Sequence, residues 1–171
     1  MGTYTHVLEY SGGRSVVEIT EYAEFDEFVR PMRLFDGVKR FSLTLWALPS
    51  GLHYGQAVKA GVDASEFIQA GGSADALTVD VRKAGGSQWG MDWVRYVVGH
   101  PRTEPEPLDV AIALPRATEM VSRSEVFTPD EAGALFFSYY KTGEIPAGYV
   151  LRPVQGFTKD GGNVTLAVES C

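Results

Sequence analysis

The strongest constraint on the fold lies between Ser124 and Pro153, SEVFTPDEAGALFFSYYKTGEIPAGYVLRP, where a start signal, a period and a stop signal all agree. Thr128 is placed to cap a helix, Pro129 falls at the first helical position, where a missing N–H costs nothing, and Glu131 completes a capping box. Ala132, Leu135, Phe136 and Tyr139 recur at i, i+3, i+4 and i+7 and so share one stripe. Lys141, Thr142 and Gly143 then supply a basic last turn and a residue that tolerates the left-handed closing conformation. After a bend at Pro146, Tyr149-Val150-Leu151 is β-prone, so the unit reads as helix, tight turn, strand.

The stripe of that helix needs a surface to cover, and the rest of the chain supplies strands. His6 to Tyr10 and Ser15 to Ile19 flank Ser11-Gly12-Gly13 and read as a hairpin. Thr20 is a candidate cap for a short helix with Tyr22, Phe25, Phe28 and Val29 on one face, expected to end near Val29 or Arg30 because Pro31 disfavours the helical conformation before it. Phe41 to Leu48 is a strand with Phe41, Leu43 and Leu45 on one side. Residues 52–61 show no sustained period and read as loop. At 63–70 a one-turn helix opened by Asp63 to Glu66 competes with a strand over Glu66 to Ala70, and Gly71 to Asp75 reads as a hairpin-sized loop. Leu77 to Arg82 alternates strictly, with Leu77, Val79 and Val81 inward.

Trp89 to Val98 reads as a strand with Met91, Trp93, Arg95 and Val97 on one face and Asp92, Val94, Tyr96 and Val98 on the other. Neither face is cleanly polar, which suggests a central strand covered on both sides or one face used by a partner. His100 to Pro107 is an extended, acidic, proline-rich connection, Leu108 to Leu114 a strand closed by Pro115, and Val164 to Val168 a last strand expected to pair back on Tyr149 to Val154. The pattern predicts a single α+β domain over residues 1–171: a mainly antiparallel, twisted sheet of about six to eight strands with two helices packed on one face.

Composition narrows the chemistry. A chain of 171 residues is long enough to bury about 70% of the surface it would expose unfolded. The lone Cys171 excludes an intramolecular disulfide, which fits a reducing cytoplasm, and the N-terminal residues lack the basic and apolar regions of a signal peptide, so a cytoplasmic location is expected. No apolar run approaches the ~20 residues of a membrane span. His6, His53 and His100 stand far apart with no metal-ligand spacing, Cys171 has Glu169 beside it, and neither Gly71-Gly72 nor Gly85-Gly86 has phosphate-loop spacing. No catalytic residue, metal or cofactor is expected. With 22 Asp and Glu against 15 Lys and Arg, the formal charge of −7 opposes binding to nucleic acid and favours a basic protein partner.

The stretch from Val121 through TPDEAGALFFSYYKTGEIPAGYVLRP, together with SADALTVDVRKAG at 73–85 and WGMDWVRYVVGHP at 89–101, resembles the Imm1 family of immunity proteins of bacterial polymorphic toxin systems. The three pieces cover roughly Glu66 to Pro153. Family members carry a tryptophan at the end of the last strand, where this chain has Leu151. The resemblance favours the strand at Glu66 to Ala70. It also implies a cytoplasmic antitoxin that binds and occludes a cognate secreted toxin, most often of the nucleic-acid deaminase fold. A small ligand-binding domain or an enzyme using unidentified carboxylates is the competing class.

Candidate partner-binding residues follow from chemistry that suits an interface. Trp89 and Trp93 have the same parity along the expected strand and so face one side, and large aromatic side chains are enriched at binding hot spots; the competing reading is that each fills the core beside the C-terminal helix. Glu104, Glu106 and Asp109, with Asp92 near in sequence, could form a negative ridge, against the alternative of a solvated loop.

Overall fold

Apolar residues at every second position set the inward face of the central strands of this chain, and each strand's inward set meets that of its neighbour. A computed structural model describes residues 3–62 and 65–166. β1 (Tyr4–Tyr10), β2 (Ser15–Thr20), β3 (Ser42–Ala47), β4 (Phe67–Ser73), β5 (Ala76–Ala84), β6 (Trp93–Gly99), β9 (Val150–Phe157) and β10 (Asn163–Thr165) form one eight-stranded sheet, with β7 (Val110–Ala113) and β8 (Thr118–Val121) as a separate hairpin. The sheet order is β10-β9-β6-β5-β4-β3-β1-β2, and every pairing is antiparallel. The chain is therefore α+β, with α1 (Phe25–Arg33) and α4 (Pro129–Thr142) packed together on one face of the sheet.

The helix face holds the main core. Leu8, Leu43, Leu45, Ile68, Leu77, Val79, Val81 and Val98 rise from the strands to meet Phe28 and Met32 of α1 and Leu135, Phe136 and Tyr139 of α4. The signals read for α4 all operate: the Thr128 hydroxyl accepts from the Glu131 N–H, the Glu131 carboxylate accepts from the Thr128 N–H, and Gly143 closes the helix at φ +75°.

Several elements depart from expectation for identifiable reasons. α1 begins at Phe25 with Glu24 at the cap, later than Thr20, and continues through Pro31 to Arg33. Pro31 sits in the last turn, and the burial of Phe28, Val29 and Met32 outweighs the one lost backbone bond. Residues 52–61 contain a helix, α2 (Tyr54–Lys59), whose short length leaves only Ala57 buried and hence no visible period; the Gln56 side chain accepts from the His53 N–H at its start. β4 runs through Gly71 and Gly72 to Ser73, because a Cβ at Gly72 would stand 2.4 Å from the Ala76 carbonyl oxygen and only glycine permits that approach. β8 was absent from the sequence pattern, since exposed Thr118 and Met120 blur its alternation. β9 reaches Phe157 despite Pro153, which lies where the β6–β9 register slips. β10 pairs with Gln155 to Phe157, just beyond the expected partner range, while the Leu166 N–H that follows it donates to the Val154 carbonyl within that range, and residues 167–168 of the predicted last strand lie outside the described residues.

Candidate binding face

The second face of the sheet is only partly covered. At one end α2 seals Val7, Trp46 and Leu48 with Ala57. At the other, the β7–β8 hairpin lays Ile112 and Val121 over Val97. Between them the strands present polar residues whose places follow from register: Glu9 pairs with Thr44, Thr44 with Gln69 and Gln69 with Asp80, a polar row across four strands. Each has the opposite parity to the core residues beside it, which is why Asp80 lies between Val79 and Val81 yet faces away from the helices.

Where the hairpin overhangs this row it closes a cleft of about 280 Å³, whose lining includes Gln69, Thr78, Asp80, Arg95, Glu119 and Leu114. One guanidinium nitrogen of Arg95 donates to both acids, at 2.9 Å to Asp80 and 3.1 Å to Glu119. Burial pushes the Asp80 carboxyl up to about 6, with Glu119 adding to the rise and Arg95 opposing it. Burial works against the charge on Arg95 too, but the two carboxylates more than offset it and hold the guanidinium protonated. The Thr78 hydroxyl, in a side chain 3% exposed, has no hydrogen-bond partner.

Further along the same face, Trp93 pairs directly with Phe157, and Arg82 lies over both rings, 4.0 Å from the Phe157 centroid and 5.2 Å from that of Trp93. All three are half-buried and strand-borne, so they form a rigid cation–aromatic platform.

A second cluster of charges is structural. Glu125 is wholly buried and receives Arg152 at 2.8 and 3.0 Å, Arg102 at 3.4 Å and the Ser122 N–H at 2.9 Å. Burial opposes its ionisation, yet these donors hold its carboxyl below the usual range. Hydrogen bonds from Ser124 hold Glu106 down at about 2, and Arg102 and Arg123 lie 3.8 and 3.4 Å from it. The proline-rich connection is thereby tied to the 3₁₀ turn at Arg123–Glu125.

The sequence-selected residues separate accordingly. Trp93 belongs to the platform. Trp89 ends the one-turn helix α3 (Gly86–Trp89), and β6 starts only at Trp93, so the two tryptophans share no strand and no parity. Gly85 and Gly90 break the run: a Cβ at Gly85 would meet the Met91 carbonyl oxygen at 2.2 Å, and Gly90 has φ +62°. Asp92 accepts from the Lys159 N–H and holds the turn before β10. Glu106 is engaged internally, whereas Glu104 and Asp109 are exposed. Asp80, Arg95 and Glu119 were missed as a group because β8, which brings Glu119, left no legible pattern; Asp80 alone carried a signal, as a polar residue in a strictly alternating strand.

Among the described residues, no three His, Cys, Asp or Glu side chains gather in a metal-holding group, and no helix is long and apolar enough to cross a membrane. In comparisons with known proteins, no family model, curated protein or solved structure matches this chain.

Proposed function

We propose that this protein is an immunity protein that binds a cognate secreted toxin and occludes its active surface, acting by complementarity and not by catalysis. The observation that carries the reading is the Arg82–Trp93–Phe157 platform: aromatic and arginine side chains, mounted on strands and half-buried on the sheet, are the residue types that dominate binding energy at protein interfaces. The resemblance of residues 66–153 to Imm1 immunity proteins supports the same reading. A net charge of −7 fits a partner that is itself basic because it acts on nucleic acid, most simply a toxin of the deaminase fold, and the protein needs no contact with nucleic acid or membrane for this role. The site of action is the cytoplasm of the producing cell.

The test is co-expression with a toxin domain encoded in the adjacent upstream frame. Growth rescue and co-elution as one complex are expected, with both weakened by Trp93→Ala and Phe157→Ala in variants that melt normally. Absence of any complex, or rescue by a protein that does not bind the toxin, would overturn the proposal.

A further inference from the structure

The cleft under the β7–β8 hairpin has a chemistry of its own. Its charged lining consists of two carboxylates, Asp80 and Glu119, and one guanidinium, Arg95, so with all three ionised it holds one surplus negative charge. Both acids already share a single Arg95 nitrogen, which leaves further carboxylate lone pairs without a donor from that pair. Beside them Thr78, 3% exposed, is part of the cleft lining and its hydroxyl is unpartnered, although buried polar groups in folded proteins nearly always find a hydrogen bond. Gln69, the cross-strand neighbour of Asp80, adds an amide with both donor and acceptor capacity.

The outer end has a different character. Gly12, Phe41 and Leu114 line the cleft and also line the adjoining depression of about 570 Å³ beneath the hairpin tip. A ligand entering there passes an aromatic ring and a leucine before it reaches the acids. Arg14 and Arg116 stand at the outer rim and are solvent-exposed, where water and salt screen them more than the buried pair inside.

An anion would meet Asp80 and Glu119 at close range, and a wholly apolar group would leave the Thr78 hydroxyl and the carboxylate lone pairs unmet. We propose that the cleft is a subsite for one guanidinium or ammonium group on an aliphatic stem, the stem lying on Phe41 and Leu114 and the head group donating to Asp80, Glu119 and the Thr78 hydroxyl. The inference rests on the protein-binding reading in one respect: the natural source of the head group is an arginine or lysine side chain of the bound toxin, which a basic partner has in abundance.

Agmatine is a suitable probe, because it carries a guanidinium on a four-carbon stem and needs no toxin. Titrated into the ¹⁵N-labelled protein, it should give saturable shifts at the amides of Gln69, Thr78, Asp80 and Glu119, whereas butyrate should give none there. Glu119→Gln, on a hairpin residue only partly buried, should weaken agmatine about tenfold without changing the melt, and Asp80→Asn should do the same if it folds. Absence of saturable shifts in the cleft, or equal agmatine binding by Glu119→Gln, would overturn the subsite. The two proposals fail separately: a stable toxin complex with no agmatine binding refutes the subsite alone, while agmatine binding with no toxin complex refutes the immunity reading and leaves a receptor for small cations. In the complex, Glu119→Gln should raise the dissociation constant by about tenfold, and an unchanged constant would show that no partner cation enters.

Discussion

Gly133 of α4 lies directly against Val29 of α1: a Cβ added to the glycine would stand 2.2 Å from the valine Cγ2 and 3.5 Å from its Cα. The helices therefore meet backbone to side chain, and α4 gives up helix propensity at this position in return for a closer approach. Gly133→Ala should lower stability by about 1–3 kcal/mol, the overpacking cost outweighing the better propensity of alanine. Adding Val29→Ala should recover part of that loss by removing the clashing methyl groups. If Gly133→Ala melts at or above the wild-type temperature, the helices have room to separate and this contact does not set their spacing.

Leu135, 1% exposed, and Phe136, fully buried, stand on the α4 stripe that meets the sheet. Leu135→Ala or Phe136→Ala should cost about 2–5 kcal/mol through lost burial and the cavity left behind. Unchanged denaturant midpoints for both would mean that α4 does not organise the core.

That stripe was legible from sequence because cap, period and closing glycine occur together, and they describe the same helix. The inward parity of Leu77, Val79 and Val81 was legible for the same reason, since a strict two-residue alternation has one reading. Legibility failed where an element is too short to show a period. α2 spans 6 residues with one buried side chain, and β8 spans 4 with one. The loss matters for the site, because β8 carries Glu119 to Arg95 and the hairpin it completes is the roof of the cleft. The platform was half visible: Trp93 stood out, but Phe157 lies in the part of β9 beyond Pro153, where a proline argues against a continuing strand.

The buried Glu125 gives a test of the loop that follows β6. Glu125→Ala leaves Arg152 without its bidentate partner and Arg102 with the Ser122 hydroxyl at 2.9 Å and Glu106 at 3.8 Å, and an uncompensated buried charge typically costs about 3–5 kcal/mol. Hydrogen exchange should rise at residues 100–107 and 122–125 in that variant under conditions where it remains folded. Exchange matching the wild type would show that the proline-rich segment is held by other contacts.

Two groups titrate in the mildly acidic range with opposite signs. Burial lowers His6 to about 4, so it stays neutral when folded, and its contribution is lost as pH falls from about 6.5 towards 4. Asp80 is raised to about 6; the folded state holds its proton more tightly than the unfolded chain does, so stability is gained as pH falls from about 6 towards 3.8. Both shifts span about two units, with the partly exposed His6 counting for less because solvent screens it, so the two slopes oppose each other and the wild-type profile should be shallower between pH 4 and 6 than that of either single variant. Asp80→Asn should expose the His6 slope as a steeper loss of stability on acidification, and His6→Gln the opposite slope. Parallel profiles for all three proteins in thermal melts would refute this assignment.

Association with the proposed toxin separates steering from anchoring. Glu104 and Asp109 are exposed and free to act at long range, whereas Glu106 is bound to Ser124 and Arg123 and would release the loop if reversed. Glu104→Lys with Asp109→Lys should slow association with a basic partner, and the effect should fade as salt rises, since exposed charges are screened beyond about 8 Å at physiological ionic strength. Trp93→Ala acts at short range: it removes one ring from the Arg82 stack and should raise the dissociation rate, with a cost of about 2 kcal/mol or about thirtyfold in affinity, and little change in association. Measuring both rate constants at low and high salt distinguishes the two classes. An association rate indifferent to salt and to both acids would remove the acidic steering while leaving occlusion intact, because a partner held by the platform alone needs no long-range attraction; a normal dissociation rate for Trp93→Ala would instead move the contact surface away from this face of the sheet.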